Sequence, residues 1–320
     1  MNPSVKRYHH GMAMLGHTVE PQEGGAETHR TRLAIALGIT AVICVAEIIG
    51  SVLTDSLALL VDAGHMLTDA GGLAMALAAA SLSMRPPTSR RTWGFVRTEV
   101  LAATVQAAVL LAVGVYAVVE GVQRLFSPPD VSSTGLLAFG ILGLLGNIAA
   151  IAVLHSRRSA NLNLRAAFLE VVSDALGSVA VIAGAIVIAT TGWMQADAIA
   201  GMLIGAFIIP RAIILLRETS NVLLESTPRG LDLDAVRAHI LELPHVQSVH
   251  DLHASQVATG LPILSAHVVV DESCFYDGHA PRMLDELQAC VARHFDISVE
   301  HSTFQIEPAA HPAHEHSSHS

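Results

Sequence analysis

Cysteine is nearly absent: the 320-residue chain has three, Cys44, Cys274 and Cys290, and no C-x-x-C pair. That excludes a disulfide framework and argues against a thiolate zinc finger. Charge is scarce as well, with 14% of residues charged against 52% apolar. So low a charged fraction disfavours a soluble enzyme of this length and favours a chain that crosses a membrane several times. The formal net charge of −10 comes mostly from the acidic C-terminal part, so no nucleic-acid partner is expected. The N-terminus is polar and carries histidine, unlike a signal peptide. No H-E-x-x-H occurs and paired E-x-x-H helices are missing, which removes the usual frameworks of a zinc hydrolase and of a di-metal carboxylate oxidase. The expectation is therefore not an enzyme.

What the chain does have is apolar segments of membrane-span length, at about 32–53, 57–83, 99–125, 135–155, 164–190 and 196–217. A five-span alternative exists, because the first two run almost continuously across Asp55. Ser127, Pro128, Pro129 and Asp130 punctuate the second hairpin, and Thr191, Gly192 and Trp193 the third. Basic residues set the orientation. Lys6, Arg7, Arg30 and Arg32 precede the first segment, and Arg85, Arg90, Arg91 and Arg97 follow the second. Arg157, Arg158 and Arg165 follow the fourth, Arg217 follows the sixth, and the opposite loops offer only Arg124. Both termini are expected on the cytoplasmic side of a cell (inner) membrane, with the basic loops near lipid headgroups. The spans are rich in Gly, Ala and Ser, which lets membrane helices approach closely.

After Pro228 the pattern changes. Residues 231–243 have helical periodicity, 246–258 and 261–270 suit strands, 281–295 form an amphipathic helix and 298–306 alternate like a strand. That order fits a small soluble α+β domain, small enough to favour association. The domain plan is a flexible His-containing tail over 1–31, a transmembrane domain over 32–217, a cytosolic α+β domain over 218–308 and a His-rich tail over 309–320. Histidines in the tails, His9, His10, His17, His29, His311, His314, His316 and His319, are weak metal-gathering candidates.

Two apolar segments carry nearly the same polar pattern. His65-Met66-Leu67-Thr68-Asp69-Ala70 and Glu170-Val171-Val172-Ser173-Asp174-Ala175 both read ligand type, two spacers, hydroxyl, Asp, Ala. A charged residue at mid-bilayer costs roughly 2.5–3.5 kcal/mol, so a repeated pair marks a site. Residues four apart share a helix face, so His65 and Asp69 point one way, and Glu170 and Asp174 do the same. One imidazole and three carboxylates suit a four-coordinate divalent metal such as Zn²⁺. Buried helix–helix hydrogen bonds are the plainer alternative. Carboxylates crowded in a low dielectric resist ionising together, and a divalent cation expels their protons, so metal entry and proton exit are coupled. Asp62 shares the stripe of His65 and Asp69, and Glu47 is a similar buried candidate, while Gln106 and Asn147 suit interhelical hydrogen bonds.

These residues resemble the cation diffusion facilitator family of metal transporters. Residues 56–69, ending in His65-Met66-Leu67-Thr68-Asp69, are similar to its second-helix signature. Arg91-Thr92-Trp93-Gly94-Phe95 resembles the loop that follows, and 168–179 the fifth-helix signature. Val249-His250-Asp251-Leu252-His253 and residues 261–270 resemble its cytosolic domain. The resemblance implies an all-α six-helix transmembrane bundle followed by a ferredoxin-like cytosolic domain, a homodimer, and export of Zn²⁺ or a related ion against protons. It maps transport ligands onto His65, Asp69 and Asp174, with Glu170 standing where zinc members usually carry His. An added carboxylate hardens the site toward Co²⁺, Fe²⁺ or Mn²⁺. It also implies a cytosolic, regulatory metal site at His250, His267 and Glu307, with His253, His279 and His301 as weaker candidates. A membrane metal sensor or scaffold without transport is the remaining alternative.

Overall fold

The structure, a computed structural model, describes residues 23–155 and 162–311. The N-terminal tail up to residue 22, Arg157, Arg158 and the His-rich end from residue 312 lie outside the described residues. Six long helices come first: α1 (Glu23–Thr54), α2 (Leu57–Ser83), α3 (Thr98–Phe126), α4 (Ser133–His155), α5 (Leu162–Thr191) and α6 (Gln195–Leu223). Then follow α7 (Leu233–Leu241), β1 (Val246–Ala258), β2 (Leu261–Val270), a 3-10 turn (Glu272–Phe275), α8 (Ala280–Arg293) and β3 (His301–Pro308). The α-β-β-α-β order read from periodicity is the order observed.

Among the described residues, five helical stretches are long and apolar enough to cross a bilayer: Ile35–Thr54, Thr98–Phe126, Ser133–His155, Phe168–Thr191 and Gln195–Leu223. Between α1 and α3 runs α2, 27 residues long, bearing the polar residues Asp62, His65 and Asp69. Helices α1, α3 and α6 extend past the apolar edges drawn from sequence, because a helix continues for as long as its backbone bonds are satisfied, beyond the hydrocarbon depth. Large apolar side chains such as Val42, Val52, Leu145, Leu176 and Phe207 face outward, as lipid-facing residues do. The interior holds Leu57, Leu59, Val61, Leu110, Leu136 and Val181.

The break at Asp55, which made the span count ambiguous, is a turn with Asp55 at φ 53. Two residues from elsewhere hold it. Arg124 near the end of α3 donates to the Asp55 carbonyl oxygen at 2.6 Å and to Glu120 at 2.9 Å. Asp197 in the first turn of α6 accepts from the Ser56 hydroxyl, from Leu57 N at 2.7 Å and from Ala58 N at 3.4 Å. With Leu59 N bonded to Ser56 Oγ, the first N–H groups of α2 are capped by two side chains, one of them anionic at the positive end of the helix. Replacing Asp197 by Ala strips three donors at a buried spot and should cost about 1–3 kcal/mol. A lowered unfolding midpoint of the detergent-solubilised protein, with Asp197→Asn intermediate, would register it.

In the C-terminal domain β1 pairs antiparallel with β2, and β2 pairs parallel with β3, giving the order β1-β2-β3. The parallel pair is joined through α8, as a parallel connection requires. Helices α7 and α8 cover one face, burying Val236, Ile240, Met283, Leu287 and Val291 against Val249, Leu264, Val268 and Phe304. The domain meets the membrane part at the end bearing the basic loop: Trp93 packs edge-on to His301 at 4.8 Å, and Thr259 donates to Glu99 at 3.1 Å.

Candidate metal sites

The repeated motifs meet. His65 Nε2 lies 3.4 Å from Asp69 Oδ2 on its own helix and 3.8 Å from Asp174 Oδ1 on α5. The hydroxyls of the repeat do not join them. Thr68 Oγ1 donates to Gly64 O at 2.7 Å, and Ser173 Oγ donates to Leu169 O at 3.1 Å. Each folds onto its own helix, the usual fate of Ser and Thr in an apolar span. His65 Nδ1, Asp69 Oδ1 and Asp174 Oδ1 are buried and make no hydrogen bond among the described residues. Buried polar atoms left in that state are costly, and a cation among them would repay the cost.

Glu170 joins the group through a residue that the sequence reading passed over. Arg211 in α6 places Nη2 3.4 Å from Glu170 Oε1 and Nη1 3.8 Å from Asp69 Oδ2. The guanidinium thus bridges α2 and α5. Its sequence signal was an arginine six residues inside the expected end of the last apolar segment.

A second set of carboxyls lies deeper. Glu47 and Asp62 are both 2% exposed, too enclosed for a water shell to neutralise their charge. Glycines make room for them. A Cβ at Gly177 would stand 2.7 Å from Asp62 Oδ1, and one at Gly143 would stand 2.8 Å from Glu47 Oε1. These two glycines therefore seat polar groups, in addition to the close packing expected from the sequence. Asn147 donates to Ser178 Oγ at 3.3 Å, tying α4 to α5 as an interhelical amide, and Gln106 lies over Gly72 of α2.

In the C-terminal domain His250 and His267 are cross-strand partners on β1 and β2. Glu307, on β3, is 1% exposed and takes His267 Nδ1 at 2.7 Å and His250 Nε2 at 3.4 Å. All three offer ligand atoms within 4.8 Å of one another. They alternate with the core residues Val249, Val268 and Ile306, so they lie on the sheet face opposite α7 and α8. A bulge at Asp251, φ 49, turns its carboxylate to within 3.9 Å of His267 Nε2. The weaker candidates lie apart: His253 faces Asp251 at 3.1 Å, His279 faces Asp277 at 2.8 Å, and His301 packs on Trp93. The histidine beside Asp277 holds that carboxyl below its ordinary range.

Comparison with known proteins covers both halves of the chain. Residues 33–224 match the profile of the cation efflux transmembrane domain, and residues 228–309 that of the cation efflux protein cytoplasmic domain. The metal cation efflux system protein CzcD of Cupriavidus metallidurans is 45% identical over 277 residues, 87% of this chain and 86% of the relative. The zinc transporter ZitB of Escherichia coli is 38% identical over 283 residues, 88% of each. A cadmium, cobalt and zinc/H(+)-K(+) antiporter of Bacillus velezensis is 36% identical over 267 residues, 83% of this chain and 84% of the relative.

Proposed function

Because this chain belongs to the cation efflux family, also called the cation diffusion facilitators, we propose that His65, Asp69, Glu170 and Asp174 bind the ion it exports, with Zn²⁺ as first cargo and protons as counter-ion. The chain is a multi-pass membrane transporter of divalent metal cations and not an enzyme. The observation that carries the site is the seat of His65 Nε2 between Asp69 and Asp174, 3.4 and 3.8 Å away, across α2 and α5.

Zinc leads because one imidazole with carboxylates satisfies its preference for four ligands, and because the relatives' names include zinc. Glu170 favours a second reading, in which Co²⁺, Fe²⁺ or Mn²⁺ is also carried, since a carboxylate in place of imidazole hardens the donor set. Proton exchange follows from the same crowding: carboxyls that share protons when empty release them when a dication arrives. Asp62 and Glu47, buried beside Asp174, extend that chain of carboxyls inward from the metal ligands.

Arg85, Arg90, Arg91 and Arg97 lie at the end of the bundle that meets the C-terminal domain, which supports cytoplasmic termini in the cell (inner) membrane and contact of these arginines with anionic headgroups. Among the described residues helices α7 and α8 cover only one sheet face of the cytoplasmic domain, which suits a homodimer. His250, His267 and Glu307 on that face suit a metal bound there to regulate transport.

The test is uptake into everted vesicles. Zn²⁺ accumulation should rise when the lumen is acid and collapse when a protonophore dissipates the gradient. Flux indifferent to the gradient would remove the exchange, and metal binding without flux would favour a sensor. Competition among Zn²⁺, Co²⁺, Fe²⁺ and Mn²⁺ in the same assay fixes the cargo.

A further inference from the structure

We propose that His239, Cys290 and His294 form a metal site of their own in each cytoplasmic domain, one that takes a borderline or soft divalent ion of the zinc class. The three offer ligand atoms within 4.8 Å of one another. They arrive from two helices. Cys290 and His294 are four apart at the end of α8 and share a face, while His239 stands in the last turn of α7. Cys290 is on the buried stripe of α8 with Met283 and Leu287, and the two imidazoles lie over it toward solvent.

The two imidazoles already lie side by side. His239 Nε2 and His294 Nδ1 are 2.7 Å apart, with rings edge-on at 88°. Glu242 lies 3.6 Å from the other ring nitrogen of His239, Nδ1. A metal ion takes the place of the hydrogen between them. In a tetrahedral site with Zn–N near 2.0–2.1 Å, two ligand nitrogens are about 3.3 Å apart, so the rings need to part by about 0.6 Å. His294 is exposed and caps α8, so its ring has room to turn.

The ligand set decides the class of ion. One thiolate with two imidazoles suits zinc and its softer neighbours and does not suit Mg²⁺ or Ca²⁺. Both helices end at the cluster, and helix C-termini favour cations. Three protein ligands near the surface leave a fourth position to water, the form of an exchangeable site rather than a closed structural one. Bound metal would pin α7 to α8 on the helical layer, on the sheet face opposite His250, His267 and Glu307.

Sulfur provides a readout that the other two sites lack. The full-length protein in detergent, titrated with Co²⁺, should develop a thiolate-to-cobalt charge-transfer band that excess Zn²⁺ abolishes. Cys290→Ser should lose the band. His294→Ala, altering an exposed side chain, should keep the fold and weaken the band's half-saturation by about tenfold or more. Asp174→Ala and His267→Ala should leave the band in place. Cobalt bound by the wild-type chain without the band, a band that survives Cys290→Ser, or unchanged affinity in His294→Ala would overturn the proposal. None of these readouts measures flux, so their failure leaves the transport reading standing.

Discussion

An Asp174→Ala chain should reach the membrane at normal levels and export no metal. Asp174 is the α5 group facing His65, so its loss takes away a carboxylate and one of the links between the two motif-bearing helices. Loss of a partner that only orients a metal ligand costs 10–100-fold, and loss of the ligand itself should cost about 100-fold or more in flux. Growth on elevated zinc, vesicle uptake and the amount of chain in the membrane fraction would be measured together. Asp174→Asn keeps the shape and removes the charge, so it should fail nearly as badly. Ser173→Ala, one residue away, should transport normally, because that hydroxyl bonds to Leu169 O and not to the cargo. Normal zinc resistance in the Asp174→Ala strain would mean that this cluster is structural.

The two polar pairs were legible because helical geometry is local. Four residues of spacing put His65 over Asp69 and Glu170 over Asp174 whatever the rest of the chain does. That the two pairs meet was also inferable, since polar groups in a bilayer need one another. Three features were not legible, each for a physical reason. Arg211 reads in sequence as one more basic residue near a membrane end, and only the packing of α6 against α2 and α5 turns it toward carboxylates. Asp197 reads as a charge at a loop, and its work lies at Ser56 and Leu57, far away in the chain. Cys290 and His294 share a face of α8 by their spacing, but the third member, His239, comes from another helix altogether. The hydroxyls of the repeat show the opposite case, a pattern shared by both motifs that carries no ligand. Local periodicity thus places residues on faces, and tertiary contact decides which faces become a site.

Arg211 should prove to be the site's built-in counter-charge. Three carboxylates and one guanidinium leave two negative charges beside His65, the same balance that a histidine at position 170 would give without the arginine. The arginine is half exposed, so its pull on Asp69 and Glu170 is discounted to about 1–2 kcal/mol, or about tenfold. Arg211→Gln should therefore bind metal more tightly and release it more slowly, with the KM for Zn²⁺ and the turnover both falling by about tenfold. Glu170→His alone leaves the arginine without its nearer partner and should raise the KM. The double substitution restores the balance, so its KM and turnover should return toward the wild-type values. Uptake by proteoliposomes at several Zn²⁺ concentrations gives the four corners of the cycle. A double variant that keeps the low KM of Arg211→Gln or the high KM of Glu170→His, or an Arg211→Gln chain with less folded protein and an unchanged KM, would reduce Arg211 to a packing residue. Opposite single effects that cancel in the double variant would identify Glu170 and Arg211 as one paired substitution, in which a carboxylate at the cargo site is tolerated because a neighbouring helix carries its counter-ion.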